Sequence, residues 1–177
     1  PITQEEVDGL RQFIRPGDFV IDVGAHTGDS TVPLALACGP TGRVLALEPN
    51  RHVYKILEQN AALNAGRTRI DCRCCAATSA DGTFVFHYGD ASFCNGGAGN
   101  SRNWNPFRKK FPLQVEGRNL LQILHNDYAE CLPWLSYVKV DAEGFDCQIL
   151  ESILPILLAL LEVRHADPHR SSLPKRD

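Results

Sequence analysis

Methionine is absent from all 177 residues, the initiator included. A trimmed start, or residues lost from within the chain, would account for this. In the second case some sequence neighbours are not neighbours in the natural protein, and an intact mass far from 19.6 kDa would reveal it. Positive charge is also scarce: 18 Lys and Arg stand against 21 Asp and Glu, a net charge of −3. A dedicated nucleic-acid binder needs an excess of phosphate-neutralising side chains, so no nucleic-acid partner is expected beyond a local basic patch. Long apolar runs are missing. The longest, Ile149 to Val163, carries Glu151, Pro155 and Glu162 and falls short of the roughly 20 residues that span a bilayer. No membrane partner is expected. Pro1 to Glu6 has no basic stretch followed by an apolar core, so it does not read as a secretory signal. The 7 cysteines (38, 72, 74, 75, 94, 131 and 147) are odd in number and sit mostly in apolar runs. That is no disulfide framework, and a cytoplasmic location is expected.

Apolar residues make up 44% and charged residues 22%, enough apolar surface to offset chain entropy and exclude disorder as the main state. The length suits a single domain over 1–177, with its core within 16–163.

Thr3-Gln4-Glu5-Glu6 reads as a capping box opening a helix. Val7, Leu10 and Ile14 continue it at helical spacing until Pro16-Gly17 ends it. Phe19 to Val23 is a β-branched run, hence a buried strand, and it leads into Gly24-Ala25-His26-Thr27-Gly28. A helix over about Ser30 to Cys38 tolerates Pro33 in its first turn. Val44 to Leu47 is a second strand, ending at Glu48-Pro49. Val53, Ile56, Leu57, Asn60, Ala61 and Asn64 mark a helix, and Thr68 to Cys75 a third strand, which Ala76-Ala77-Thr78 leaves. This alternation predicts an α/β fold: a doubly wound, mostly parallel sheet in three layers, with right-handed crossovers.

Beyond Asp81-Gly82 the pattern changes. Thr83 to Tyr88 alternates, with Phe84, Phe86 and Tyr88 on one face. Gly89 to Lys110 is rich in Gly, Asn and Ser, as a substrate lid or a solvated loop would be. In it, Trp104 offers a stacking face, and Arg102, Arg108, Lys109 and Lys110 would favour an anionic acceptor. Leu113 to Val115 reads as a short strand, and Leu120, Leu121, Ile123 and Leu124 as a helix. Tyr137 to Val140 is a strand ending at Asp141-Ala142-Glu143-Gly144. Phe145, Ile149, Leu150 and Ile153 share a helical face. Leu157 to Val163 is expected as a fifth core strand, reached by a tight connection at Pro155 that would fit missing residues.

Two features suggest a nucleoside-containing cofactor. Gly24 and Gly28 allow close backbone approach and tight packing at a strand-to-helix bend. Glu48, 24 residues beyond Gly24 at the next strand end, can accept both hydroxyls of a ribose. A plain tight turn and a solvated strand-end carboxylate are the bland alternatives. Dinucleotide folds carry G-x-G-x-x-G, whereas Ala25-His26 replaces that step here. No Lys follows Gly28, which excludes a nucleoside-triphosphate loop. A ribose without pyrophosphate fits, and S-adenosylmethionine is the natural candidate.

The run Pro16 to Gly28 resembles the first motif of FkbM-type methyltransferases, and Gly42 to Asn50 their second strand and acidic residue. Leu57 to Asn64 is similar to their following helix, and Val138-Lys139-Val140-Asp141-Ala142-Glu143-Gly144-Phe145-Asp146 to their fourth-strand motif. The likeness spans about Pro16 to Val163. It implies a class I (Rossmann-like) methyltransferase fold and methyl transfer from S-adenosylmethionine to a hydroxyl of a small-molecule or glycan acceptor. It also implies that Asp22, Gly24 and Gly28 border the methionine part, Glu48 holds the ribose and Ala76 lies near the adenine. Ala25 and His26, in the same bend, are expected to be cofactor-binding too, although a helix-start hydrogen bond would also explain His26. His26 stands where many members carry Asn, Gln122 where an Asp often stands, and the last strands of the sheet are not recognisable.

Asp141 and Glu143 lie two apart at a strand end and so can face the same crevice. Methyl transfer to an alcohol needs a group to take the hydroxyl proton, and Asp141 is the first candidate base, Glu143 the second. Glu143 could instead cap the next helix or pair with Lys139. Two carboxylates are too few ligands to claim a cation. Of the histidines, His26 lies in the cofactor bend and His165 could reach the crevice. His87 is expected to face solvent, and His52 and His125 to lie at the surface. Cys74 and Cys75 point to opposite faces of a strand and cannot share one tetrahedral ion, so they read as small buried thiols. A nicotinamide-dependent dehydrogenase and a non-catalytic cofactor-binding protein are the rival readings.

Overall fold

The computed structural model describes residues 2–88, 96–97, 111–142 and 144–166. Helix α1 (Gln4–Leu10) opens on a reciprocal capping box: Thr3 Oγ1 accepts from the Glu6 amide, and the Glu6 carboxylate accepts from the Thr3 amide. The helix ends at Leu10 rather than at Pro16, and Ile14 is buried beyond it, outside helical structure. Next come β1 (Phe19–Val23), α2 (Thr31–Cys38), β2 (Arg43–Leu47), α3 (Arg51–Leu63) and β3 (Ile70–Arg73). Asn50 caps α3 through its side-chain oxygen, which accepts from the His52 amide at 3.0 Å. Strand β3 is shorter than the Thr68 to Cys75 run suggested. Ala76–Thr78, expected only to leave that strand, forms β4 in a different sheet. Then follow β5 (Gly82–Tyr88), β6 (Gly96–Gly97), β7 (Phe111–Asn119), α4 (Leu120–Asp127), a 3₁₀ turn (Leu132–Trp134), β8 (Leu135–Val140) and α5 (Asp146–Ala166).

The central sheet runs β3-β2-β1-β8 and is parallel throughout. Alternation along β1 assigns its two faces. Phe19, Ile21 and Val23 pack with Leu45, Leu47, Leu120, Leu124, Ile149 and Ile153, beneath α4 and α5. Val20 and Val44 pack with Val7, Leu34, Ala35 and Cys38 on the opposite side, beneath α1 and α2, and Ala46 meets Leu57 of α3 there. Helices on both faces of a parallel sheet give the three layers expected of this sequence pattern.

A second sheet, β4-β7-β5-β6, stands beside the first. In it β4 is parallel to β7, while β5 is antiparallel to both β7 and β6. The short strand expected at Leu113 to Val115 is the middle of the nine-residue β7.

The predicted fifth strand, Leu157 to Val163, does not form. Those residues continue α5 from Asp146 through Pro155, so there is no tight connection to explain. Spacing gives the reason: Ile149, Ile153 and Ile156 are buried, while Leu150, Leu154, Leu158 and Leu161 are exposed, which is helical periodicity. A leucine-rich stretch also favours helix over strand. No helix among the described residues is long and apolar enough to cross a membrane.

Candidate functional site

Parallel strands leave their carboxyl ends on one side, where the turns that follow can surround a ligand. Here those ends enclose a cavity of about 450 Å³. Gly24, Ala25 and His26 form one wall with Glu48 and Pro49. Phe145, Gln148 and Ile149, from the start of α5, form a second. The third comes from the other sheet: Ala76 to Ser79, and the inward face of β5 carrying Phe84, Phe86 and Tyr88. Of the residues singled out from sequence, Gly24, Ala25, His26, Glu48, Ala76 and Asp141 line this cavity. Asp22 and Gly28 do not.

The bend after β1 is built from backbone. The amides of Gly24 and Ala25 both donate to the Leu47 carbonyl at 3.0 Å, tying the bend to the end of β2. His26 has φ +49°, a left-handed conformation that histidine adopts more readily than most residues. Its amide donates to Glu48 Oε2 at 2.9 Å, and the Asn50 amide donates to Glu48 Oε1 at 2.8 Å. Glu48 is 6% exposed. Burial pushes its pKa up from the ordinary 4.5, and the amides of Asn50 and His26 pull against that shift. A carboxylate has about four lone-pair sites, so each oxygen keeps capacity for one further donor. The Nε2 atom of His26 is buried and has no partner.

Asp22, expected beside the cofactor, is fully buried under the bend instead. Its Oδ2 accepts from the hydroxyls of Ser30 at 2.8 Å and Thr31 at 2.7 Å, which fastens the start of α2 to β1. Its Oδ1 accepts from Lys139 Nζ at 3.1 Å, and the same ammonium donates to the Gly24 carbonyl at 3.2 Å. Asp22 therefore acts on the cavity through the bend. Gly28 has φ +98°, and a side chain there would crowd Leu57 of α3, so its role is helix packing.

Asp141 continues β8: its amide donates to the Val23 carbonyl at 3.0 Å. Its side chain is 69% exposed, at the cavity rim, with Oδ2 4.0 Å from Lys139 Nζ. Residues 139 and 141 share a strand face, as their spacing requires. Glu143 lies outside the described residues. So do Gly89 to Asn95, Ala98 to Lys110 (with Trp104, Arg102, Arg108, Lys109 and Lys110) and His169. His165 falls within α5, not past a strand end.

In the sequence Asp146 closes the fourth-strand motif and otherwise reads as an ordinary first-turn acid of α5. Its Oδ1 accepts from the Ala142 amide at 2.8 Å and its Oδ2 from the Gly144 amide at 3.2 Å. The Ala142 bond is the main cause of a pKa held below the usual 3.8. Asp146 thereby sets the path of the chain just after Asp141. Lys139 also lines the cavity, and the signal for it in the sequence is its i, i+2 relation to Asp141.

Burial pushes the Cys75 thiol up to about 12 and Cys72 to about 11, and raises Cys74. Such thiols are poor nucleophiles at neutral pH. Among the described residues, no group of three or more His, Cys, Asp or Glu is placed to hold a metal ion. His87 is exposed, as its alternation along β5 predicts.

Residues 22–169 match the family model described as the methyltransferase FkbM domain. A curated relative, a probable cobalt-precorrin-6B C(15)-methyltransferase (decarboxylating) of Saccharolobus solfataricus, is 34% identical over 64 residues, covering 34% of this chain and 32% of that protein. A solved structure of methyltransferase FkbM from Methylobacillus flagellatus KT superposes with a TM-score of 0.53 at 20% identity, covering 85% of this chain and 32% of that one. That likeness is one of fold. The chain spans about a third of the length of each of these two proteins.

Proposed function

The chain belongs to the FkbM methyltransferase family, and from that premise we propose that it binds S-adenosylmethionine and directs methyl transfer to a hydroxyl of a small-molecule or carbohydrate-like acceptor. The observation that carries this reading is the state of Glu48. It is a buried carboxylate at the end of β2, fixed by two backbone amides and facing a cavity beside a glycine bend. Burying a charge is costly unless something compensates it. Two amides compensate in part, and a ribose diol would supply the two further donors.

The residues present fit such a group. Gly24 leaves room for close approach, Ala25 and His26 bound the same wall, and Ala76 and Ala77 offer a small apolar surface for a base. S-adenosylmethionine, when bound, supplies an electrophilic methyl group. Everything else is the work of this chain. Glu48 holds the sugar end by its free lone pairs. Lys139 keeps Asp22 neutralised and holds the Gly24 carbonyl, so the bend is rigid before any ligand arrives. Asp141, at the rim beside Lys139, takes the proton of the acceptor hydroxyl, a step worth roughly 10²–10⁴-fold in rate.

The reading is tested by thermal shift of the unmodified protein. S-adenosylhomocysteine at saturating concentration is expected to raise Tm by several degrees, and NAD⁺ to leave it in place. A shift with NAD⁺ alone would favour the dehydrogenase reading and overturn this one. With an acceptor in hand, Asp141→Asn is expected to lose turnover by the factor above while keeping its affinity for S-adenosylhomocysteine.

A further inference from the structure

The second sheet turns three rings toward the cavity. Phe84, Phe86 and Tyr88 alternate along β5 with the exposed Thr83, Val85 and His87, so strand periodicity keeps the aromatic face inward. Phe84 has a seat made by an absence. A Cβ on Gly117 of β7 would overlap the Phe84 ring and lie 3.0 Å from Thr78 Cγ2. Gly117 does not have a positive φ, so its backbone would accept other residues. What calls for glycine there is the ring resting on it.

Charge narrows what these rings can receive. The described lining carries Asp29, Glu48 and Asp141 against Lys139, and Lys139 is already paired with buried Asp22. Among the described residues the lining therefore has a negative balance, which repels phosphate or sulfate esters. Rings in a row offer flat, weakly polar surface, suited to the C–H face of a sugar or to an arene.

Resting on the methyl-transfer reading above, we infer that the aromatic row of β5 is the acceptor platform, with Phe84 and its Gly117 seat setting specificity. It takes an uncharged acceptor with a flat apolar ring face and rejects phosphorylated or sulfated ones.

The test uses the described chain loaded with S-adenosylhomocysteine and saturation-transfer NMR with three probes: methyl β-glucoside, phenol and glucose 6-phosphate. Transfer is expected to one or both neutral rings, the stronger signal separating sugar from arene, and none to the phosphate. In Phe84→Leu and in Gly117→Ala that signal is expected to fall roughly fivefold, the scale of one lost ring contact, while S-adenosylhomocysteine affinity holds. Two variants are used because either alone could misfold, and circular dichroism checks both. Transfer to the phosphate ester, or to neither neutral ring, overturns the inference. So does a loss of S-adenosylhomocysteine affinity in both folded variants, which would assign the row to the cofactor. If the unmodified protein takes up no S-adenosylhomocysteine, the methyl-transfer reading fails, and the same probes on the unloaded protein still decide the platform.

Discussion

Gly24 and the carbonyl of Asp141 touch across the carboxyl ends of β1 and β8. A side chain at position 24 would collide with that carbonyl oxygen, and Gly24 also has φ +77°. The bend that lines the cavity is thus packed on the strand end that carries the candidate base. Gly24→Ala is expected to cost about 3 kcal/mol, from backbone overlap plus the left-handed conformation. Urea unfolding would measure it, and an unchanged midpoint would show that the two strand ends are not in contact.

Lys139 and Asp22 form a pair in which the acid is fully buried and the ammonium 26% exposed. Lys139→Met leaves that acid with two hydroxyl donors and no cation, at an expected cost of about 3 kcal/mol. Adding Asp22→Asn removes the stranded charge, so the double variant should recover more than half of the loss. A double-mutant cycle by chemical denaturation measures this. Simple additivity would mean that the pair does not hold the bend.

His26 combines a left-handed backbone with a buried, unpartnered Nε2. Asparagine tolerates that backbone and has no ring nitrogen to strand, so His26→Asn is expected to gain about 1 kcal/mol. A loss of stability of that size would instead show that the imidazole makes a favourable contact in the folded protein.

Acidity should separate the two anchoring carboxylates. Glu48 has a raised pKa in the fold, so its contribution to stability is full below its ordinary 4.5 and is lost as pH rises through the higher folded value. Asp146 has a lowered pKa, so its contribution is present above its ordinary 3.8 and is lost as pH falls through the lower folded value. Only ionised Glu48 can accept from a diol with both oxygens. Affinity for S-adenosylhomocysteine should therefore weaken as pH is lowered through the raised Glu48 value, and Glu48→Gln should bind more weakly but with a flat pH profile. Calorimetric titrations at a series of pH values check this, and an equal slope in both proteins would remove Glu48 as the cause.

What could be read from residues alone was the part governed by local rules. The β-branched runs at Phe19 to Val23 and Val44 to Leu47, the turns after them, and the position of Glu48 all follow from period and spacing. The α5 region failed because a short apolar run, Leu157 to Val163, looks the same as strand or helix until its neighbours are counted in. The expected break at Pro155 then hid a helix that passes straight through it. The cavity wall was legible where strand ends alone place a residue, as at Gly24 and Glu48. It was not legible where the task depends on tertiary partners. Asp22 is withdrawn from the cavity by Ser30, Thr31 and Lys139, which come from two other elements. The inward turn of Phe84, Phe86 and Tyr88 requires the second sheet, whose partner strand β7 lies beyond a long intervening segment.

Glu48 is the proposed anchor of the methyl donor's sugar. Isothermal titration of S-adenosylhomocysteine into the unmodified protein and into Glu48→Ala, both checked for fold by circular dichroism, measures it. The expected result is measurable binding in the first and a loss of about tenfold or more in the second, the scale of hydrogen bonds to a charged acceptor. Equal affinity in the two proteins would contradict it.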